Sequence, residues 1–217
     1  HATVQTASGS YEAIWFDPTF KKNETRPQDK AERIWQEDRA QSICAKLLHQ
    51  QAQVHDSAKR TTQLSPLLFD LTSLQREANN RFGFSAKTTL ALAQALYEKH
   101  KALTYPRTDA RALPEDYIST VHETLKMLSD SSIYSGSVKE ILSHQWVKPT
   151  KRIFDNSKIS DHFAIIPTLQ APKKLTEAEE KIYDLVVKRF LSVFFPAAEY
   201  DVTTRITEVE GEKLKTE

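Results

Sequence analysis

Four glycines, one cysteine and no long apolar run set the first limits on this chain of 217 residues. None of the glycines has the spacing of a phosphate-cradling loop, so Walker and Rossmann fingerprints are excluded. The single cysteine, Cys44, excludes a disulfide framework and a multi-cysteine metal site, and it fits a reducing compartment. No apolar stretch is long enough to span a membrane, and no signal peptide is visible. The sequence has no Gly-x-Ser-x-Gly elbow and no Cys/His constellation at metal-ligand spacing. Charge of one sign is not in excess either. Thirty Lys and Arg stand against twenty-nine Asp and Glu, for a net +1. That balance neither demands nor excludes nucleic acid, because partners feel local patches. The sequence opens at His1 and stops within a strand-like pattern, which reads as a piece of a longer protein.

What is present is 39% hydrophobic and 27% charged residues, a soluble globular balance with a helical leaning. Residues 2–16 alternate apolar and polar about Ser8-Gly9-Ser10, which predicts a hairpin with one buried face. A polar connection covers 17–30, with Asp17-Pro18, Lys21-Lys22-Asn23 and Arg26-Pro27. The Asp29…Glu32 spacing predicts a capping box, and Ala40, Ile43, Cys44, Leu47 and Leu48 recur at helical spacing. Cys44 reads there as a small buried hydrophobe. Residues 52–62 read as a strand. Past Leu64-Ser65-Pro66, Thr72…Gln75 predicts a second box, opening a helix through Arg81 that Gly83 ends. Ser85 caps the next helix, to about His100, with a stripe of Ala86, Leu90, Ala93 and Tyr97 that Leu92 and Leu96 widen.

Pro114, Glu115 and Asp116 open a further helix that buries Ile118, Val121, Leu125 and Leu128. Ser137…Glu140 predicts the cap of a short one. Residues 144–168 are irregular to strand-like. Thr176…Glu179 opens a last helix, burying Ile182, Leu185, Val186 and Phe190, and Pro196 ends it. The even positions Tyr200, Val202, Thr204 and Ile206 predict a strand. Strand-like ends around a helical middle give a multidomain α+β fold class, with a helical unit inserted in a β-rich one.

The densest chemistry lies in Leu103-Thr104-Tyr105-Pro106-Arg107-Thr108-Asp109-Ala110-Arg111. Pro106 locks its own φ and pushes Tyr105 out of the α region. A phenol ionises near pH 10, so ionising it at pH 7 costs roughly 4 kcal/mol. A guanidinium about 4 Å away, at an effective dielectric near 20, supplies on the order of 4 kcal/mol. Arg107 shares a face with Tyr105 in an extended segment. It is spaced either to activate the phenol or to stabilise charge on a phosphate that the phenol attacks. Asp109, on that same face, either orients Arg107 or forms an ordinary surface ion pair with it. His162 is the second candidate, since an imidazole can donate to a non-bridging phosphate oxygen or to a leaving hydroxyl. A lone histidine is more often structural. Spacing does not bring His162 to Tyr105, and Ile165 stands where a recombinase's His-x-x-Arg needs arginine.

Several segments agree in order with one known family. Phe69-Asp70-Leu71-Thr72-Ser73-Leu74-Gln75-Arg76-Glu77-Ala78 is followed by Arg81-Phe82-Gly83-Phe84-Ser85-Ala86-Lys87 and Ala93-Gln94-Ala95-Leu96-Tyr97-Glu98. These lead into Leu103-Thr104-Tyr105-Pro106-Arg107-Thr108-Asp109 and, later, Asp161-His162-Phe163-Ala164-Ile165-Ile166-Pro167-Thr168. Together they closely resemble the tyrosine-bearing core of the type IA DNA topoisomerases. The proline after the tyrosine is more like the topoisomerase III form than the topoisomerase I form. The resemblance runs from about residue 38 to the end and is densest over 66–110 and 160–168.

The resemblance implies that Tyr105 attacks a single-strand phosphodiester and forms a 5′-phosphotyrosyl bond. Another strand passes through the break before it is resealed. It implies that Arg107 and His162 flank the same phosphate; many relatives carry a second histidine where Phe163 stands. Candidate DNA contacts are Arg111, Lys87, Gln75, Lys148, Lys151 and Arg152. The implied boundaries are a β-rich gate or arch domain over 1–63 and 199–217, and a helix-turn-helix-like tyrosine domain over 64–198. The family's metal-binding domain, with its Glu and Asp-x-Asp acids, has no counterpart here. Mg²⁺ is therefore expected on the missing N-terminal domain, with no metal or cofactor in this chain. The expected partners are single-stranded DNA and that missing domain, with no membrane, in a bacterial cytoplasm at the nucleoid or a plasmid. The chain alone is expected to be inactive. The rival reading is a non-catalytic single-stranded DNA-binding or structural module in which Tyr105 only stacks on a base.

Overall fold

Alternation at both ends of the chain and helical spacing between them divide the molecule in two. In the computed structural model, which describes residues 1–22, 26 and 28–216, one compact unit holds His1–Thr62 with Glu199–Glu217, and the other holds Gln63–Ala198. Asn23 and Pro27 of the polar connection, with Glu24, Thr25 and Glu217, lie outside the described residues.

The first unit is built on β1 (Ala2–Thr6) and β2 (Gly9–Phe16), an antiparallel hairpin in register from Ala2↔Ala13 to Thr6↔Gly9. Helix α1 follows (Glu37–Leu47), then β3 (Gln53–Gln63), and at the end of the chain β4 (Ala198–Val209) and β5 (Glu212–Thr216). The strands form one sheet in the order β1-β2-β5-β4-β3. The β4–β5 turn places Glu210 and Gly211 at φ 47° and 78°. Two successive positive φ values give the tight turn whose twist suits a two-residue hairpin. Ala13, Trp15, Ile43 and Leu214 make a small core where α1 meets the sheet. The Trp15 indole N–H, at its edge, donates to Glu212 at 2.9 Å.

Three expectations fail in this unit. No capping box forms at Asp29, whose carboxylate instead accepts from the Trp35 indole, and α1 starts only at Glu37. Cys44 is exposed, because α1 turns Ile43 into the core, with Leu47 packed at its margin, and Cys44 lies off that face. In β4 the buried positions are Thr207 and Val209, while Tyr200 and Val202 are exposed. Residues 205–209 pair with β5, so burial begins only where the sheet widens.

The second unit holds α2 (Leu71–Phe82), α3 (Ala86–Glu98), α4 (Ile118–Ser129), α5 (Ser135–Ser143) and α6 (Glu177–Ser192). They enclose one continuous core that includes Leu74, Leu96, Val121, Leu125, Ile141, Val186 and Phe190. Gly83 ends α2 at φ 69°, a left-handed cap that glycine reaches without a Cβ penalty. Ser85 caps α3 by accepting from the Thr88 N–H, and Thr176 with Glu179 forms the expected box on α6. The α2 box differs from expectation. It is Asp70 with Ser73, two residues before Thr72, and the Ser73 N–H reaches the Asp70 carboxylate at 2.6 Å. The α3 face buries Ala93 and Leu96 as expected, joined by Thr89, while Ala86 is exposed. Ser137 caps nothing, because α5 begins at Ser135 and the Val138 N–H already reaches the Tyr134 carbonyl. Among the described residues no helix is long and apolar enough to cross a membrane.

Candidate active site

Residues 162–168 run between two other backbone segments with almost no regular secondary structure. The Ile165 N–H donates to the Phe69 carbonyl at 2.8 Å, the Thr104 N–H to Ile166 at 3.0 Å, and the Thr168 N–H to Ala102 at 3.0 Å. Lone bridges at Phe69↔Ile165 and Leu103↔Pro167 mark the same pairing. The segment is apolar and buried from Ala164 to Pro167, so every one of its peptide groups needs a partner.

Two threonine side chains complete that pairing on either side of Tyr105-Pro106-Arg107. The Thr104 hydroxyl donates to the Ala164 carbonyl at 2.9 Å and accepts from the Ile166 N–H at 2.9 Å. The Thr108 hydroxyl donates to the His162 carbonyl at 2.9 Å and accepts from the Ala110 N–H at 3.0 Å. Each hydroxyl thus uses both its donor and its acceptor capacity. Tyr105, Pro106 and Arg107 bulge out between two latches on the strand that carries His162. Pro106 is buried, Tyr105 half-buried and Arg107 exposed.

This bracing brings Tyr105 and His162 together. Their ring centroids are 4.2 Å apart at 42°, and on another side Tyr97 of α3 meets Tyr105 edge-on at 5.4 Å. Such ring contacts hold an aromatic side chain in one orientation. Among the described residues the Tyr105 hydroxyl has no hydrogen-bond partner. Phe163 faces away and packs on Tyr117 at 4.9 Å. A histidine at that position would therefore lie against Tyr117, apart from the Tyr105–His162 pair.

Arg107 takes a direction that its spacing does not foretell. Its Nη2 donates to the side-chain oxygen of Gln94 on α3 at 3.3 Å. Among the described residues no ion pair joins it to Asp109, which removes both roles considered for that carboxylate. Arg111 is half-buried and its Nε donates to the Leu68 carbonyl at 3.1 Å, next to the Phe69–Ile165 bridge. Gln75 ties α2 to the start of α3 by donating to the Ala86 carbonyl at 3.0 Å. Lys151 is ion-paired with Glu115, and Arg152 donates to the Ser65 carbonyl. Lys87, on the exposed first turn of α3, and Lys148 have no ion-pair partner among the described residues. Of the five charged candidates only Lys151 is ion-paired among the described residues. Arg111 and Arg152 keep their charge while spending a donor on a carbonyl, and the Lys87 and Lys148 side chains have no hydrogen bond or ion pair among the described residues. No three His, Cys, Asp or Glu side chains among the described residues cluster to hold a metal ion.

Charge elsewhere in this unit is structural. His100 and Glu179, both nearly buried, approach to 3.3 Å under the start of the tyrosine loop. The Thr176 backbone N–H, then the Thr176 hydroxyl and His100, hold the Glu179 carboxyl below its ordinary range against the opposing cost of burial. Tyr183 is pushed up to about 12 by burial.

The residues that sequence reasoning passed over are Thr104, Thr108, Gln94 and Tyr97. Two threonines flanking Tyr-Pro-Arg were the visible signal, each beside a residue that must leave the strand.

The family described as DNA topoisomerase matches this chain over residues 6–217. The chain is 42% identical over 207 residues to DNA topoisomerase 3 of Bacillus cereus, with 89% of this chain and 28% of that protein covered. It is 38% identical over 211 residues to DNA topoisomerase 3 of Bacillus subtilis, covering 96% of this chain and again 28% of the relative. The chain therefore spans little more than a quarter of the length of these relatives. Its backbone is similar to that of full-length topoisomerase I from Thermotoga maritima, with a TM-score of 0.57 at 20% identity over 87% of this chain and 30% of that one.

Proposed function

Because the chain belongs to the DNA topoisomerase family, we propose that Tyr105 is the nucleophile of a type IA strand-cleavage reaction, within a longer enzyme of which this chain supplies the tyrosine-bearing part. The observation that carries this reading is the contact of the Tyr105 ring with His162 at 4.2 Å, across two threonine latches. The phenol oxygen attacks the phosphorus of a single-stranded phosphodiester and loses its proton. The bond to the 3′ oxygen breaks, that oxygen takes up a proton, and the 5′ phosphate remains on Tyr105. One phosphodiester replaces another, so the bond energy is kept and the step reverses without a fuel molecule. His162 and Arg107 donate to the non-bridging oxygens as charge shifts in the transition state. Arginine suits this task because its charge persists and its planar fork matches two phosphate oxygens. Lys87 and Lys148, whose side chains have no hydrogen bond or ion pair among the described residues, are the candidates freest to reach a phosphate.

Among the described residues no three His, Cys, Asp or Glu side chains gather, and no step here runs through a metal. The proposal places Mg²⁺ on acids outside this chain, as it places the reaction in the bacterial cytoplasm on nucleoid or plasmid DNA. The 217-residue chain alone is then inactive in plasmid relaxation, and robust relaxation by it would overturn that part. The central test is Tyr105→Phe in the full-length protein. The expected result is loss of the covalent DNA adduct with single-strand affinity retained. An adduct that persists in Tyr105→Phe refutes the nucleophile, and loss of binding in parallel favours a base-stacking role.

A further inference from the structure

We propose that Gln94 is a positioning residue for Arg107, with Glu98 setting the direction of its amide; the inference rests on the reading of Tyr105 as a nucleophile. Arg107 Nη2 donates to Gln94 Oε1 at 3.3 Å, and Gln94 Nε2 donates to Glu98 Oε1 at 3.0 Å. A guanidinium only donates and a carboxylate only accepts. The amide between them has one usable direction, oxygen toward Arg107 and nitrogen toward Glu98. Gln94 and Glu98 are one turn apart on α3, the spacing at which helix side chains meet.

The same face of α3 carries Tyr97, whose ring meets Tyr105 edge-on. Residues three apart on a rigid helix thus reach residues two apart on the latched loop. Arg107 is exposed and long, so without an anchor its guanidinium samples many poses of which few face a phosphate. An anchor made before DNA arrives removes that ordering cost from the reaction. The chemistry of the anchor also fits. A neutral amide oxygen takes one N–H and leaves the charge and the remaining donors free, whereas a carboxylate in that place would compete with phosphate.

The test uses the full-length enzyme and a labelled single-stranded oligonucleotide, measuring single-turnover formation of the covalent adduct alongside affinity by fluorescence anisotropy. Gln94→Met keeps the length and removes the acceptor, and Gln94→Ala serves as a second variant if Met disturbs folding. Adduct formation should slow between about tenfold and a hundredfold, with affinity changed less than about twofold. Combined with Arg107→Ala, the Gln94 change should add no further slowing, because its effect passes through that arginine. Adduct formation at or above the wild-type rate in Gln94→Met would overturn the proposal, as would slowing that multiplies in the double variant. Absence of any adduct in the unaltered enzyme would instead fail the nucleophile reading itself, so the two failures are distinguishable.

Discussion

The helical unit and the sheet unit differ in what they bury. The helical unit closes one continuous core around Phe69, Leu96, Leu125 and Phe190, and its irregular segments are latched to that core by side-chain hydroxyls. The sheet unit gathers four buried residues under α1, and beyond them β3 is exposed at all eleven positions. What holds the outer ribbon is polar: Arg205 makes a two-pronged pair with Asp56 at 2.8 and 2.7 Å and lies over the Tyr11 ring. One unit is built for a fixed geometry, and the other for reach with little buried area. The proposed chemistry belongs to the first.

The sharpest way to break this contrast is to cut each core. Phe190→Ala should cost about 3–5 kcal/mol, the usual loss for a fully buried aromatic, read as a large drop in the denaturant midpoint. Trp15→Ala in the sheet unit should be of similar size, since it removes the largest side chain of the four-residue core cluster; a drop under about 1 kcal/mol would mean that α1 holds the sheet by other means. Next comes Thr104→Val, which keeps the shape and orphans the Ala164 carbonyl and the Ile166 N–H. It should cost about 1–3 kcal/mol and loosen the Tyr105–His162 contact, visible as slower adduct formation in the full-length enzyme.

A third effect is set by pH. Burial raises the Tyr183 phenol to about 12, above its value near 10 in the unfolded chain. Its contribution is complete below pH 10 and is lost as pH rises toward 12, on the order of 2 kcal/mol. Melts between pH 9 and 12 should show that decline, and Tyr183→Phe should lessen it, the Tyr134 and Tyr117 phenols, which burial also raises, retaining the rest. The smallest effect belongs to the ribbon, where Val54→Ala should stay within about 0.5 kcal/mol. A larger loss there would show that the exposed ribbon carries stability after all.

Legibility followed the same divide. The Thr176…Glu179 box and the buried run from Ile182 to Phe190 were readable because a helix face pressed on a core repeats every turn. The β4 alternation misled because Tyr200 and Val202 have nothing packed over them. A period of two selects a face only where something covers it. The α2 box slipped by two residues because Thr72…Gln75 has the usual spelling, while Asp70 is the better cap and Ser73 closes it with a short hydroxyl. Cys44 misled for a simple reason, since α1 meets the core along a narrow face of Ile43 and Leu47 that leaves Cys44 outside. At the site, Tyr105, Arg107 and His162 were all nameable from motifs, but their arrangement was not. It depends on Thr108 reaching the His162 carbonyl across 54 residues of sequence, and no local pattern encodes such a bond.

Reversible cutting adds a demand that ordinary hydrolysis does not have, because the parted ends must be rejoined after an interval. Thr104 and Thr108 fasten the phenol's loop and the imidazole's strand to each other directly, without a hinge between them. On the proposed reading, the 5′ end of a cut strand and its histidine travel as one piece whenever the enzyme opens. The alignment needed for closure is then never lost on that side. Accuracy of resealing becomes a matter of bringing back a single remaining party, the 3′ hydroxyl, and two small hydroxyl groups halve the search.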